Sequence, residues 1–214
     1  MIEIKNCFKK YDFPVLENIS LRIEDNEFLI LKGPSGSGKS TMLNLISGII
    51  PANRGDIYIN NLNITKMRDG ERSLFRNKNI AYIRQSLGLV PWLNIEDNLE
   101  LPYYLAGGNP ETMRSSIEEV IRTFDLTKIL NKYPDKISGG QYQRAAIASS
   151  IIKSPDIILA DEPTNNLDKK NIEILKKIFE LYKTKKTVIL VSHHDIFDYC
   201  GDRIAYLDNG KITY

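Results

Sequence analysis

The sequence is poor in cysteine, histidine and tryptophan: its 214 residues include two cysteines, two histidines and one tryptophan. Cys7 and Cys200 stand near opposite ends with no C-x-x-C spacing, which excludes a disulfide framework and a zinc knuckle and suits a reducing cytosol. His193 and His194 are adjacent, a poor chelating geometry on a strand or a helix, so no histidine metal centre is expected. An excess of one charge is also lacking. The 29 basic residues against 27 acidic ones leave a formal charge of +2, too weak a field to recruit nucleic acid or anionic lipid. The densest basic group, Lys183, Lys185 and Lys186, follows a helical pattern ending near Tyr182, where cations suit the negative helix end. No stretch approaches the ~20 apolar residues of a membrane span. Met1-Ile2-Glu3-Ile4-Lys5 alternates like a strand, unlike the apolar core of a signal peptide. There is no internal repeat or low-complexity tract. The expectation is a soluble chain that stays in the cytoplasm, with enough apolar residues, 42%, to bury one core.

What is present has two periods. Ile2-Glu3-Ile4-Lys5 and Ile19-Ser20-Leu21-Arg22-Ile23 alternate as early strands, and Asp25-Asn26 reads as the turn before Phe28-Leu29-Ile30-Leu31. That run is apolar throughout, as are Ile157-Ile158-Leu159-Ala160 and Val188-Ile189-Leu190-Val191. Strands of this kind belong to a parallel sheet covered on both faces. Ile117, Val120, Ile121 and Phe124 fall on one face of a helix that Asn109-Pro110-Glu111 starts, and Ile172, Leu175, Phe179 and Tyr182 form a second apolar face. Strand and helix alternate, which predicts an α/β fold. The stretch 87–136 departs from it, being mostly helical in pattern and carrying Pro91, Pro102, Pro110, Pro134 and Trp92. It reads as a helical subdomain inserted between 1–86 and 137–214; the plainer alternative is an elaborate crossover connection.

Directly after the Phe28–Leu31 run comes Gly33-Pro34-Ser35-Gly36-Ser37-Gly38-Lys39-Ser40-Thr41, which matches G-x-x-x-x-G-K-[ST] in the required strand-then-helix context. Glycines let the backbone turn its N–H groups inward as an anion nest, and the helix starting near Lys39 adds its positive end. Lys39 is placed to reach the β- and γ-phosphates of a nucleotide, and Ser40 to ligate Mg²⁺. This Walker A loop fits a kinase, a GTPase or a motor equally well. A second, acidic signal lies at the end of the Ile157 run, where Asp161-Glu162 sits at the carboxyl edge at which α/β sheets bind ligands. Asp161 suits the Mg²⁺ shell and Glu162 a general base for the attacking water; capping of Pro163-Thr164-Asn165-Asn166 explains one acid but not both. Ile137-Ser138-Gly139-Gly140-Gln141-Tyr142-Gln143-Arg144 precedes the helix-like run Ala145-Ala146-Ile147-Ala148, so a serine and bare N–H groups crown a helix terminus, either as an ordinary N-cap or as a second anion site.

Walker A, then Ser-Gly-Gly-Gln, then a strand ending Asp-Glu resembles the ABC ATPase family over nearly the full chain. The resemblance implies a P-loop NTPase core, with an N-terminal antiparallel β subdomain beside the parallel sheet and the helical insertion. It implies that Tyr11 stacks on adenine, that Gln85 senses Mg²⁺ and the permease, that a loop including Asp168 couples two sites, and that His193 contacts the γ-phosphate. It further implies ATP and Mg²⁺ as ligands and a head-to-tail homodimer in which Ser138 and Gly140 of one copy complete the site built on Lys39 and Glu162 of the other. The membrane partner is then a separate permease, with the chain peripheral on the inner face of the membrane. Residues 91–102 and 160–168 look most like the lipoprotein-release and macrolide-export branch, which includes peptide and bacteriocin exporters. The chain departs from the family pattern at Ile137, Arg84, Asn165 and His194, none of which removes a catalytic group. Two other classes fit less well: a soluble ABC machine of DNA repair or translation, which predicts tandem domains, a long coiled-coil insertion or basic patches that the sequence lacks, and a nucleotide-gated module without hydrolysis, against which Glu162 and His193 argue.

Overall fold

A computed structural model describes residues 1–84, 88–164, 169–193 and 195–213; side chains at 110–116 and 170 are also outside the description. Four strands, β1 (Ile2–Lys10), β2 (Pro14–Ile23), β4 (Arg54–Ile59) and β5 (Leu62–Asn63), form an antiparallel sheet in the order β2-β1-β4-β5. A six-stranded sheet takes β3 (Phe28–Lys32), β6 (Ile80–Ile83), β7 (Ile157–Asp161), β8 (Thr187–Val191), β9 (Arg203–Asp208) and β10 (Lys211–Thr213) in the order β10-β9-β3-β8-β7-β6. Five of these strands are parallel, as the apolar runs predict. The sheet is nevertheless mixed, because β10 returns on β9 as an antiparallel hairpin, a pairing that a three-residue polar run gave no reason to expect.

The apolar strands are buried on both sides, and alternation divides their side chains between two cores. Leu29, Leu31, Ile157, Leu159, Ile189 and Val191 join one core with the antiparallel sheet and the apolar face of α1 (Lys39–Ile46). Phe28, Ile30, Ile158, Ala160, Val188 and Leu190 join the other. There they meet residues of α3 (Ile95–Leu105), α4 (Pro110–Thr123), α5 (Gly139–Ile151) and α6 (Lys169–Tyr182). Phe28, Phe179 and Phe197 stack edge to face at 5.7 and 5.4 Å between centroids, tying β3 to α6 and to the 3₁₀ helix over 195–200. The remaining helix, α2 (Asp69–Asn79), buries none of its residues and lies beside β6, the free edge of the large sheet.

The early strands run longer than their alternation predicts, for a local reason. Asn6 takes a left-handed φ of 47°, and the register against β4 shifts between Lys5 and Phe8. Buried positions accordingly change phase, from Ile2 and Ile4 to Cys7 and Lys9. A β-bulge inverts the pattern without ending the strand.

Helices α3 and α4 occupy the stretch whose pattern reads as helical. Asn94 caps α3 by accepting from the Asp97 N–H at 2.8 Å, and Glu96 and Asp97 face the positive end of its dipole. Asn98, inside that helix, is buried and donates to three backbone carbonyls, those of Val90, Leu93 and Asn94. It also accepts from the Val90 N–H at 2.6 Å. One amide thereby fastens the preceding loop to the helix.

Candidate functional site

Strands β3, β7 and β8 lie in adjacent positions and run the same way, so the loops after their carboxyl ends converge. The first is the glycine-rich loop. Gly33, Gly36 and Gly38 have φ of 148°, 79° and 103°, and Gly38 is the residue before α1. A Cβ at Gly33 would stand 2.0 Å from the Leu207 carbonyl oxygen, so β9 presses on the loop and only glycine fits. Lys39 is buried and donates from Nζ to the carbonyls of Gly33, 2.8 Å, and Pro34, 2.7 Å. Burial holds its amine below its ordinary pKa, against the opposing pull of Glu162 and Asp161. Ser37 Oγ is buried and has no hydrogen-bond partner among the described residues.

The second loop begins at Asp161, opposite Val191 in the β7–β8 register. Burial raises the Asp161 carboxyl and the neighbouring Glu162 charge adds to this, while a hydrogen bond from Ser40 and the charges of Lys39 and Arg84 oppose it. Glu162 follows in a left-handed conformation, φ 46°, with its N–H donating to the Val191 carbonyl at 3.0 Å. An extended strand would send consecutive side chains to opposite faces; this turn breaks the strand at the second acid. The third loop then meets it: His193, two residues past β8, places Nε2 2.7 Å from Glu162 Oε1.

Around these groups lies an open cavity of about 410 Å³, walled by Val15, the glycine loop, Lys39, Ser40, Thr41 and Glu162. Ser35 and Gly36 are among its lining residues. Its chemistry suits a polyphosphate: Gly36 and Gly38 in left-handed conformations that let backbone N–H groups turn inward, and a buried lysine beside them. Ser40 and Asp161, joined by a hydrogen bond, offer the all-oxygen donors that Mg²⁺ prefers.

Not every residue singled out in the sequence gathers there. Tyr11 is 55% exposed, is not among the residues lining the cavity, and has the Lys9 ammonium 5.2 Å from its ring. Ser138 caps α5, accepting from the Gln141 N–H at 3.3 Å while Gln141 Oε1 accepts from the Ser138 N–H at 3.0 Å. This capping box stands at the surface outside the cavity, with Gly139 facing open space. Gly140 is closely covered: a Cβ there would come within 2.3 Å of Asn171 Nδ2. Gln85, Asp168 and His194 lie outside the described residues. Three contributors escaped the sequence reading. Val15 lines the cavity from β2, Arg84 acts on Asp161, and Lys32 pairs with Asp195 and Asp198 at 2.7 and 2.6 Å, linking β3 to the segment after His193. Lys32 had a signal, a cation ending an otherwise apolar strand, and Arg84 was marked only as a departure from the family pattern.

The profile of the family described as ABC transporter matches residues 16–165. An uncharacterized ABC transporter ATP-binding protein of Methanocaldococcus jannaschii, MJ0796, is 37% identical over 225 residues, covering 99% of this chain and 95% of that protein. The ABC transporter ATP-binding protein YxdL of Bacillus subtilis is 36% identical, over 99% of this chain and 85% of its own length. A solved dimeric, post-hydrolysis structure of the MJ0796 cassette with ADP and Pi superposes with a TM-score of 0.91 at 35% identity, covering 100% of this chain and 97% of that one. The phosphate loop, the Asp161–Glu162 strand end and these likenesses agree, and the chain belongs to the ABC transporter family as one of its ATP-binding, ATP-hydrolysing subunits.

Proposed function

We propose that two copies of this chain pack head to tail around ATP and drive a separate membrane permease. The carrying observation is that one protomer presents half a site: an open phosphate cavity, and apart from its lining residues a serine-capped helix terminus at the surface. An ATP held on one copy by Lys39 and the loop N–H groups leaves its γ-phosphate facing outward, where Ser138, Gly139 and Gly140 of the second copy supply N–H donors and a hydroxyl. The dimeric state of the MJ0796 cassette supports this arrangement. No described helix is long and apolar enough to cross a membrane; the translocation path in this reading is supplied by the proposed permease, and segment 87–136, as a helical subdomain, is the proposed surface that meets it. The cargo class we propose is a lipoprotein, a peptide or bacteriocin, or a drug, moved outward or extracted.

Within the site, roles follow from chemistry. When ATP arrives, its phosphates replace the Gly33 and Pro34 carbonyls as partners of Lys39, and the positive charge that burial disfavours gains a counterion. Ser37, Pro34, Gly36, Gly38 and Thr41 complete the cradle, and Tyr11 receives the adenine by turning from Lys9. Ser40, Asp161 and Gln85 would hold Mg²⁺, which offsets charge on the β- and γ-phosphate oxygens. Glu162 accepts a proton from the attacking water, and His193, bonded to that carboxylate, fixes its direction and reaches the γ-phosphate. Asp168 and Gln141 belong to the contact with the second copy. The test is a pair of variants: Glu162→Gln retains ATP and elutes as a dimer with it, without turnover, while Lys39→Ala loses nucleotide affinity. Full-rate hydrolysis by Glu162→Gln removes the general base from the account.

A further inference from the structure

A second cavity, about 500 Å³, opens over the edge strand β6, and its wall shares no residue with that of the phosphate-loop cavity. Arg76 and Asn77 of α2, Tyr82 of β6, Arg84 just beyond it and Lys153 just beyond α5 face it. Three of these are cations, and no carboxylate is among the described lining residues. Their partners are neutral. Arg76 donates to the Gly48 carbonyl at 3.4 Å and the Ser73 hydroxyl at 3.2 Å, and Arg84 lies over the Tyr82 ring at 5.1 Å. Lys153, half-buried, has no hydrogen bond or ion pair to a described residue, and burial together with Arg76 pushes its amine down to about 8. The acids that act electrostatically on these arginines are engaged elsewhere: Asp69 pairs with Arg72, and Asp161 accepts from Ser40.

Three converging positive groups in a concave site, with no carboxylate among its described lining residues, carry an electrostatic cost that an anion relieves. A monocarboxylate would offset one charge, whereas a phosphate dianion offsets two and offers several acceptor oxygens, matching two guanidinium forks, an ammonium and the Asn77 amide. We propose that this cavity is a phosphate-binding site, in which Arg76, Arg84 and Lys153 hold a phosphate group, either free or carried by a small molecule. None of these side chains is a phosphate ligand of the ATP site, although the Arg84 charge also acts on Asp161.

The test reads Lys153 directly, in a Lys39→Ala chain so that the glycine loop takes no part. The protein is acylated with acetic anhydride near neutral pH, and labelling of individual lysines is followed by peptide mass spectrometry with sodium chloride, inorganic phosphate, pyrophosphate or AMP at matched ionic strength. At a ligand concentration ten times its Kd, about a tenfold fall in Lys153 labelling is expected, with exposed Lys185 unchanged. Arg84→Gln, at an exposed position, and Arg76→Gln weaken the protection. Protection by phosphate or pyrophosphate assigns a free anion; protection by AMP alone assigns a phosphate carried on a nucleoside. Equal labelling of Lys153 in all four solutions, or protection by chloride as strong as by phosphate, overturns the proposal.

Discussion

Glu162 occupies backbone space that costs a non-glycine residue about 1–2 kcal/mol, and its side chain is held by His193 at 2.7 Å. A carboxylate aimed by strain and a hydrogen bond is the arrangement a general base needs, so freeing it has a kinetic signature. His193→Ala should lower ATP turnover by about 10²-fold while nucleotide binding, measured by equilibrium dialysis, changes little. Equal loss of binding would move His193 from positioning to holding. Lys153 gives a second prediction at this scale. Its folded pKa, about 8, lies below its ordinary 10.5, so the fold favours the neutral amine. Below pH 8 the amine is charged in both states and its burial costs stability; between about 8 and 10.5 the folded chain sheds the proton first, and stability rises. Lys153→Met should therefore add about 1–2 kcal/mol at pH 7 in phosphate-free buffer, with the gain vanishing as pH approaches 10, read from urea midpoints. Residue identities at the phosphate loop were legible in the sequence because spacing alone specifies that chemistry. The Ser37 orphan hydroxyl and the Glu162–His193 bond were not, since both depend on which strand ends lie side by side.

Elements show the same division. Apolar runs announced β3, β7 and β8, and the i, i+3, i+4 spacing announced α4 and α6, because burial on two faces or on one stripe leaves a period behind. The bulge at Asn6 hid the second half of β1 by inverting its phase. Gly55 is what permits that bulge: a Cβ there would lie 2.5 Å from the carbonyl oxygens of Lys5 and Asn6, at a φ of 87°. Gly55→Ala should cost about 2–4 kcal/mol, seen as a lower urea midpoint with unchanged slope. At the start of α5, Gly140→Ala meets Asn171, which accepts from Arg144 Nη1 at 2.8 Å. That change should displace Asn171 and shift the serine-capped terminus, weakening ATP-dependent dimerisation more than nucleotide binding by the monomer. Sizing chromatography beside dialysis separates the two.

At the scale of the molecule, the antiparallel sheet, the mixed sheet and the helices share two continuous cores, so the carboxyl ends of β3, β7 and β8 are set rigidly. The sequence order of motifs disclosed the family, yet motif order says nothing about whether Ser138 serves its own phosphate loop or a neighbour's. The proposed arrangement assigns it to the neighbour's, and Ser138 is not among the residues that line the cavity of its own copy. The most direct measurement uses two differently tagged copies in the Glu162→Gln background, purified as mixed dimers, with ATP trapped per dimer as the readout. If the site is shared, Lys39→Ala on one copy and Ser138→Phe on the other leave one whole site, and ATP is trapped. Both changes on the same copy spoil both sites, and none is trapped. The reverse pattern, trapping only when the two lesions share a chain, would show that each protomer completes its own site and would contradict the account.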